Sequence, residues 1–245
     1  MKSTVRGTLI FLLCVLGFSS ARSQTTNRSS ATSPQDPLAQ IVGGFTLSNQ
    51  TLSDGIGRLN QVTADVGFSI EFPLGATIGQ PAPTLSKLTM QLPSTKVSDL
   101  LDRLCNADPA FTWKKNGNMI NVFPRTLENN EQYVLNRPLP VISLNGVGNA
   151  RDAVFQVVNS LAGHREQIAM LQTGSANNFA EPWTATFHDT TVREMLNRIA
   201  QQLGPTYGWQ FGGAADFRVI TFHSRISPSI ELTQSNREPP VAKKH

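Results

Sequence analysis

The chain has 245 residues, 39% of them hydrophobic, with 21 basic and 17 acidic side chains for a net charge of +4. That mild excess, without a clustered basic face, gives no basis for nucleic acid as a partner. Two cysteines, Cys14 and Cys105, exclude a disulfide-stapled scaffold.

Lys2 and Arg6 precede an apolar run from Thr8 to Phe18, and the small residues Ser19, Ser20, Ala21 and Ser23 follow. This order of positive, apolar and small residues predicts a secretory signal peptide over residues 1–23. The run is too short for the roughly 20 apolar residues that cross a bilayer, and no second segment is long enough, so no membrane span is expected after cleavage. Leu13 stands before Cys14 where a lipoprotein signal needs a small residue, which argues against lipidation. Cleavage removes three basic residues and no acid, leaving a net charge of +1 and Cys105 as the lone thiol. The expected location is periplasmic or secreted.

Residues 24–40 are polar, with Pro34 and Pro37, and predict a flexible leader. A first module follows over 41–125. Phe45 and Leu47 alternate with polar residues as a strand; Leu52, Ile56, Leu59 and Val62 have helical spacing, with Gly55 and Gly57 read as close-packing positions and Gly67 as the helix end. Residues 68–72 and 88–92 alternate as strands, separated by a Pro/Gly-rich loop over 73–86. Val97, Leu100, Leu101 and Leu104 form the apolar stripe of a helix from about Lys96 to Asn106, for which Ser94, Thr95 and Ser98 offer capping hydroxyls. Cys105 on that helix is expected to be buried and inert. Residues 111–123 form a hairpin with Asn116-Gly117 at its turn.

Residues 126–139 are expected to be a linker, and a second module to span 140–226. Its predicted elements are strands at 141–144 and 168–171, a helix over 150–161 capped by Gly163, a polar loop over 173–182 and a strand from Trp183. Thr191 and Glu194 form a capping box ahead of a helix over 192–203, which Gly204-Pro205 ends. Residues 207–211 and 217–222 close the module as a hairpin around Gly212-Gly213, and 227–245 form a flexible tail. The two modules repeat each other: Val97 aligns with Val192, Leu101 with Leu196, Arg103 with Arg198, Trp113 with Trp209, and Cys105 with Ala200. The fold class expected is α+β, two small modules, each a mixed sheet with two helices packed on it.

The first module, with its helix ending in glycine before FSIEF, the LTMQL strand, the VSDLLDRL helix and the NG hairpin, resembles the secretin and TonB short N-terminal domain. The second resembles it more loosely, over 183–223. The resemblance implies a periplasmic recognition domain that contacts components of an envelope machine, or one that signals to an inner-membrane regulator.

The residues themselves offer little chemistry. His164, His188, His223 and His245 have no metal-ligand spacing and are expected at the surface. No nucleophile elbow or phosphate loop is present. Asp99 and Asp102 share a helix face that the helix dipole explains. No cofactor, metal or catalytic set is expected. Trp113, Trp183 and Trp209 either fill the sheet–helix interface or leave one aromatic free to anchor a partner, and Arg218 is taken to lie on an edge strand. The function expected is a non-catalytic protein-binding adaptor whose partner is an envelope protein or a second copy. The alternatives are a domain relaying the state of an outer-membrane receptor and a periplasmic binder of a small ligand between the modules.

Overall fold

The computed structural model describes residues 36–73, 84–139, 141–148, 150–160, 167–172, 183–213 and 217–225. The signal peptide, the leader up to residue 35, the tail, Gly163 and most of both long loops lie outside them. Two copies of one ten-element unit follow each other. The first begins with a 3-10 turn at Pro37–Ala39 and continues through β1 (Ile41–Val42), β2 (Phe45–Thr51), α1 (Leu52–Val62), β3 (Gly67–Glu71), β4 (Lys87–Leu92), β5 (Thr95–Lys96), α2 (Val97–Ala107), β6 (Phe111–Asn116) and β7 (Met119–Pro124). The second runs in the same order from a 3-10 turn at Val134–Asn136: β8 (Pro138–Leu139), β9 (Ile142–Val147), α3 (Ala150–Ser160), β10 (Gln167–Gln172), β11 (Trp183–Phe187), β12 (Thr190–Thr191), α4 (Val192–Leu203), β13 (Gly208–Gly213) and β14 (Phe217–His223).

Local chemistry explains the helices. Thr51 and Asp54 cap α1 reciprocally, as Thr191 and Glu194 cap α4. The serine and threonine hydroxyls expected to cap α2 do not; its N-cap is Lys96 without a side-chain bond. A backbone contact takes over: the Val97 amide donates to the Gln40 carbonyl at 3.0 Å. The second copy repeats the bond, with the Val192 amide on Arg137 at 3.3 Å. Helix α1 ends at Val62, where the Thr63 hydroxyl donates to the Leu59 carbonyl, so Gly67 opens β3 and does not end the helix. Gly55 faces Leu104 and Leu47, as close packing requires. Cys105 is buried and its thiol is pushed up to about 12, first by burial.

The pairings also repeat. In the first copy β2 pairs with β4, β1 with β5, β3 with β7 in parallel, and β6 with β7 as a hairpin. In the second, β9 pairs with β11, β8 with β12, β10 with β14 in parallel, and β13 with β14. The first hairpin turns at Gly117-Asn118, one residue later than expected, because Asn116 pairs with Met119. Gly117 takes φ +58° at the first central position while Asn118 stays at negative φ, the arrangement of a type II′ turn.

The two copies are not separate. β13 pairs in parallel with β3, making one six-stranded sheet in the order β10-β14-β13-β3-β7-β6. The two three-stranded halves follow the same order with opposite polarity, so one copy is turned over relative to the other. Their helices therefore fall on opposite faces. Phe68, Ile70, Ile120 and Val122 pack with α1 and α2, whereas Trp209, Phe211, Ile220 and Phe222 pack with α3 and α4 and draw in Met119. With both faces covered, every residue of β3 and β7 is buried.

Two expectations change accordingly. Residues 36–40 of the expected leader are held in the fold: the Asp36 carboxylate caps the first 3-10 turn, and the Gln40 side chain bridges Val62 and Ala64 at the end of α1. The expected linker is the start of the second copy: Tyr133, Val134 and Leu135 are buried in its core. Both segments were polar enough to read as loops; Leu38 in the first, and Leu135 at the equivalent place with Tyr133 and Val134 beside it in the second, pin them.

Candidate protein-binding edges

The junction between the copies is made by pairing of sheet edges within the chain. Trp209, Gln210 and Phe211 stand opposite Ser69, Ile70 and Glu71, and the Phe72 amide donates to the Phe211 carbonyl at 2.8 Å. This is strand addition, in which backbone hydrogen bonds hold and flanking side chains select. Two glycines allow it. A Cβ at Gly208 would lie 1.7 Å from the Phe68 carbonyl oxygen, and one at Gly67 would lie 2.1 Å from that of Tyr207. No side chain fits there without moving backbone.

Beside the glycines sits a buried ionic network. Glu71 is fully buried and takes two hydrogen bonds from Arg193, at 2.5 and 2.9 Å. Arg193 also donates to the Asn136 side chain and lies 4.8 Å over the Phe123 ring. Tyr133 meets Phe211 edge-on at 6.2 Å. Burial pushes the Glu71 carboxyl up, against the pull of Arg193. Burial lowers the Arg193 guanidinium, but the bonds and charge of Glu71 outweigh it and hold the group above its ordinary value. The Tyr133 hydroxyl is pushed up, first by burial and then by the charge of Glu71. On the other face Arg225 donates to the Asn60 and Gln61 carbonyls at 2.7 Å, supplying partners at the C-terminal end of α1.

The predicted site residues separate. Trp209 is 0% exposed and has no surface for a partner; its indole donates to Asn197 at 2.9 Å. Trp113 is half-buried and its indole donates to Asp102 at 2.9 Å. These are one tie repeated, since Asp102 and Asn197 occupy equivalent helix positions. The acceptor is a carboxylate at the open end of the sheet and a neutral amide inside, where a buried charge would be costly. Trp183 opens β11, its backbone opposite Val147. Arg218 is not on an edge: β14 lies between β10 and β13, and Arg218 is half-buried within it, its charge acting on Tyr133. His188 is exposed, but His223 is buried, which drives its imidazole down to about 4.

Sequence reading missed Gly67, Gly208, Glu71 and Arg193. Glu71 lies in an alternating strand, the pattern of a sheet with one wet face, and nothing local says that a second copy covers that face. The edges of the sheet are β6 and β10. At β6, Lys114 pairs with Glu128 at 2.9 Å and Lys115 with Asp36 at 2.6 Å. Lys115 holds the Asp36 carboxyl below its ordinary range, and Lys114 does the same for Glu128. β10 reads QIAMLQ, without charge, proline or glycine. Ile41, Val62, Val141 and Phe155 are exposed apolar side chains, Phe155 the most so at 64%.

Among the described residues, no group of three or more His, Cys, Asp or Glu is placed to hold a metal, and no helix is long and apolar enough to cross a membrane. No family model matches the chain, and no curated protein or solved structure matches it.

Proposed function

We propose that this chain is an exported, non-catalytic adaptor that binds a protein partner of an envelope secretion or transport machine. The observation that carries the reading is the junction itself: the module already binds another module through the edge of its sheet. The sequence resemblance to the secretin and TonB short N-terminal domain and the signal-peptide pattern supply the envelope. Phe155 supplies a partner surface. It stands on α3 opposite the buried Ala153, Val154 and Val157, and aromatic side chains, phenylalanine among them, are enriched at protein interfaces.

A photo-crosslinking residue at Phe155, activated in living cells, tests this. One envelope protein captured there, and lost from a Phe155→Asp variant that still folds, is the expected result. Capture of no other protein at this position, nor at Ile41 as a second probe, would contradict the adaptor role.

A further inference from the structure

The two ends of the sheet are built differently. An open edge strand presents unpaired N–H and C=O groups, and charged side chains, lysine above all, keep it from pairing indiscriminately. β6 has that protection, with Lys114 and Lys115 each held in an ion pair. β10 has none: its six residues carry no charge, no proline and no glycine, and among the described residues no strand pairs with its outer edge. Its counterpart in the first copy, β3, does not stay open, because β13 covers it.

An uncharged edge that no described strand pairs with is a template for aggregation unless something covers it wherever the protein is. The one partner always present at equal concentration is a second copy of the chain. Its β6 does not suit the task. The Trp113–Trp209 equivalence sets Thr112 where β13 has Gly208, and Lys115 where it has Phe211. Thr112 thus brings a side chain to the position where β13 has none, and Lys115 replaces a buried ring with a charge. An edge that finds its complement only in itself closes as a twofold pair.

We propose that β10 pairs antiparallel with β10 of a second copy, so that two six-stranded sheets become one continuous sheet across a twofold axis. A register centred on Ala169 places the smallest residue of the strand at the axis and Ile168 opposite Met170. This inference stands apart from the adaptor reading, since it concerns the chain alone.

The test is the mass of the purified exported protein by light scattering across a dilution series, with two variants. The wild type is expected at twice the chain mass. Ala169→Lys, which sets like charges face to face, is expected to raise the dissociation constant at least tenfold. Ala169 is chosen because its register partner Val219 is half-buried, whereas Met170 stands opposite the buried Ile220. An unchanged melting temperature for the isolated Ala169→Lys chain separates lost pairing from lost fold. Ala169→Cys, in a chain that also carries Cys14→Ser, is expected to give a disulfide-linked dimer under mild oxidation, against a silent background because Cys105 is buried. A wild-type mass of one chain at every concentration would overturn the proposal. So would a dimer indifferent to Ala169→Lys, or a mass that climbs beyond two, the mark of head-to-tail pairing through β6.

Discussion

Gly208→Ala is expected to lower stability by about 3 kcal/mol, the upper part of the usual overpacking range. For a domain of this size that is a fall in melting temperature of roughly 6–12 °C. The added methyl would stand 1.7 Å from the Phe68 carbonyl oxygen. The obstacle is backbone, so no side chain can rotate away; β13 must separate from β3. Separation would break the hydrogen bond from Phe72 to Phe211 and uncover the buried faces of both strands. Gly67→Ala meets the equivalent obstacle at Tyr207 and is expected to act in the same direction. Gly43→Ala is the control: nothing lies within 4 Å of its Cβ, and a change within about 0.5 kcal/mol is expected. Urea denaturation followed by circular dichroism reads all three. A Gly208→Ala midpoint equal to that of Gly43→Ala would show that the strands do not approach as described.

The second large effect concerns the ion pair. Arg193→Met leaves the Glu71 carboxylate fully buried with no cation, and breaking a buried pair from one side costs about 3–5 kcal/mol at neutral pH. The Arg193→Met, Glu71→Gln double variant removes the stranded charge and is expected to recover a large part of the loss, a coupling that a double-mutant cycle measures. The pH dependence has a definite sign. Burial already pushes the Glu71 carboxyl up, and losing Arg193 pushes it further. The folded variant then holds a proton that the unfolded chain has released, so its stability falls as pH rises from about 4.3, the unfolded value. The deficit against wild type should therefore be smaller near pH 4 than at pH 7. A deficit independent of pH, or equal in the single and double variants, would show that Arg193 acts by packing alone.

These sites were the least legible part of the sequence, and the reason is physical. The helices over 97–107 and 192–203 could be read from their apolar stripes and, for the second, from Thr191 and Glu194, because both signals lie within a few residues. The strands read at 68–72 and 88–92 and both hairpins followed from alternation to within a residue, but neither turn did: the first falls at Gly117-Asn118, and Gly212 and Gly213 belong to β13, where they pair with Val219 and Arg218. The α+β class followed from the sum of these signals. The β3–β13 pairing joins residues far apart in the chain, and its only local trace is two glycines with other ready explanations. Glu71 sat in a pattern that suits an exposed face, and its burial depends on a helix about half the chain away. Trp209 and Trp113 gave one signal for two environments, and only the junction decides which is buried.

The measurement that bears most directly on the single-sheet account is native-state amide exchange. The amides of Ser69, Ile70 and Phe72 on the β3 segment, and of Trp209 and Phe211 on β13, report the two copies on either side of their junction. Elements that open together exchange with one free energy, and core elements approach the global value. Both sets are expected to exchange at a common free energy equal to that of global unfolding, and Gly208→Ala is expected to lower both together. Two distinct free energies, each insensitive to Gly208→Ala, would mean that the copies are independent domains and would contradict the single sheet.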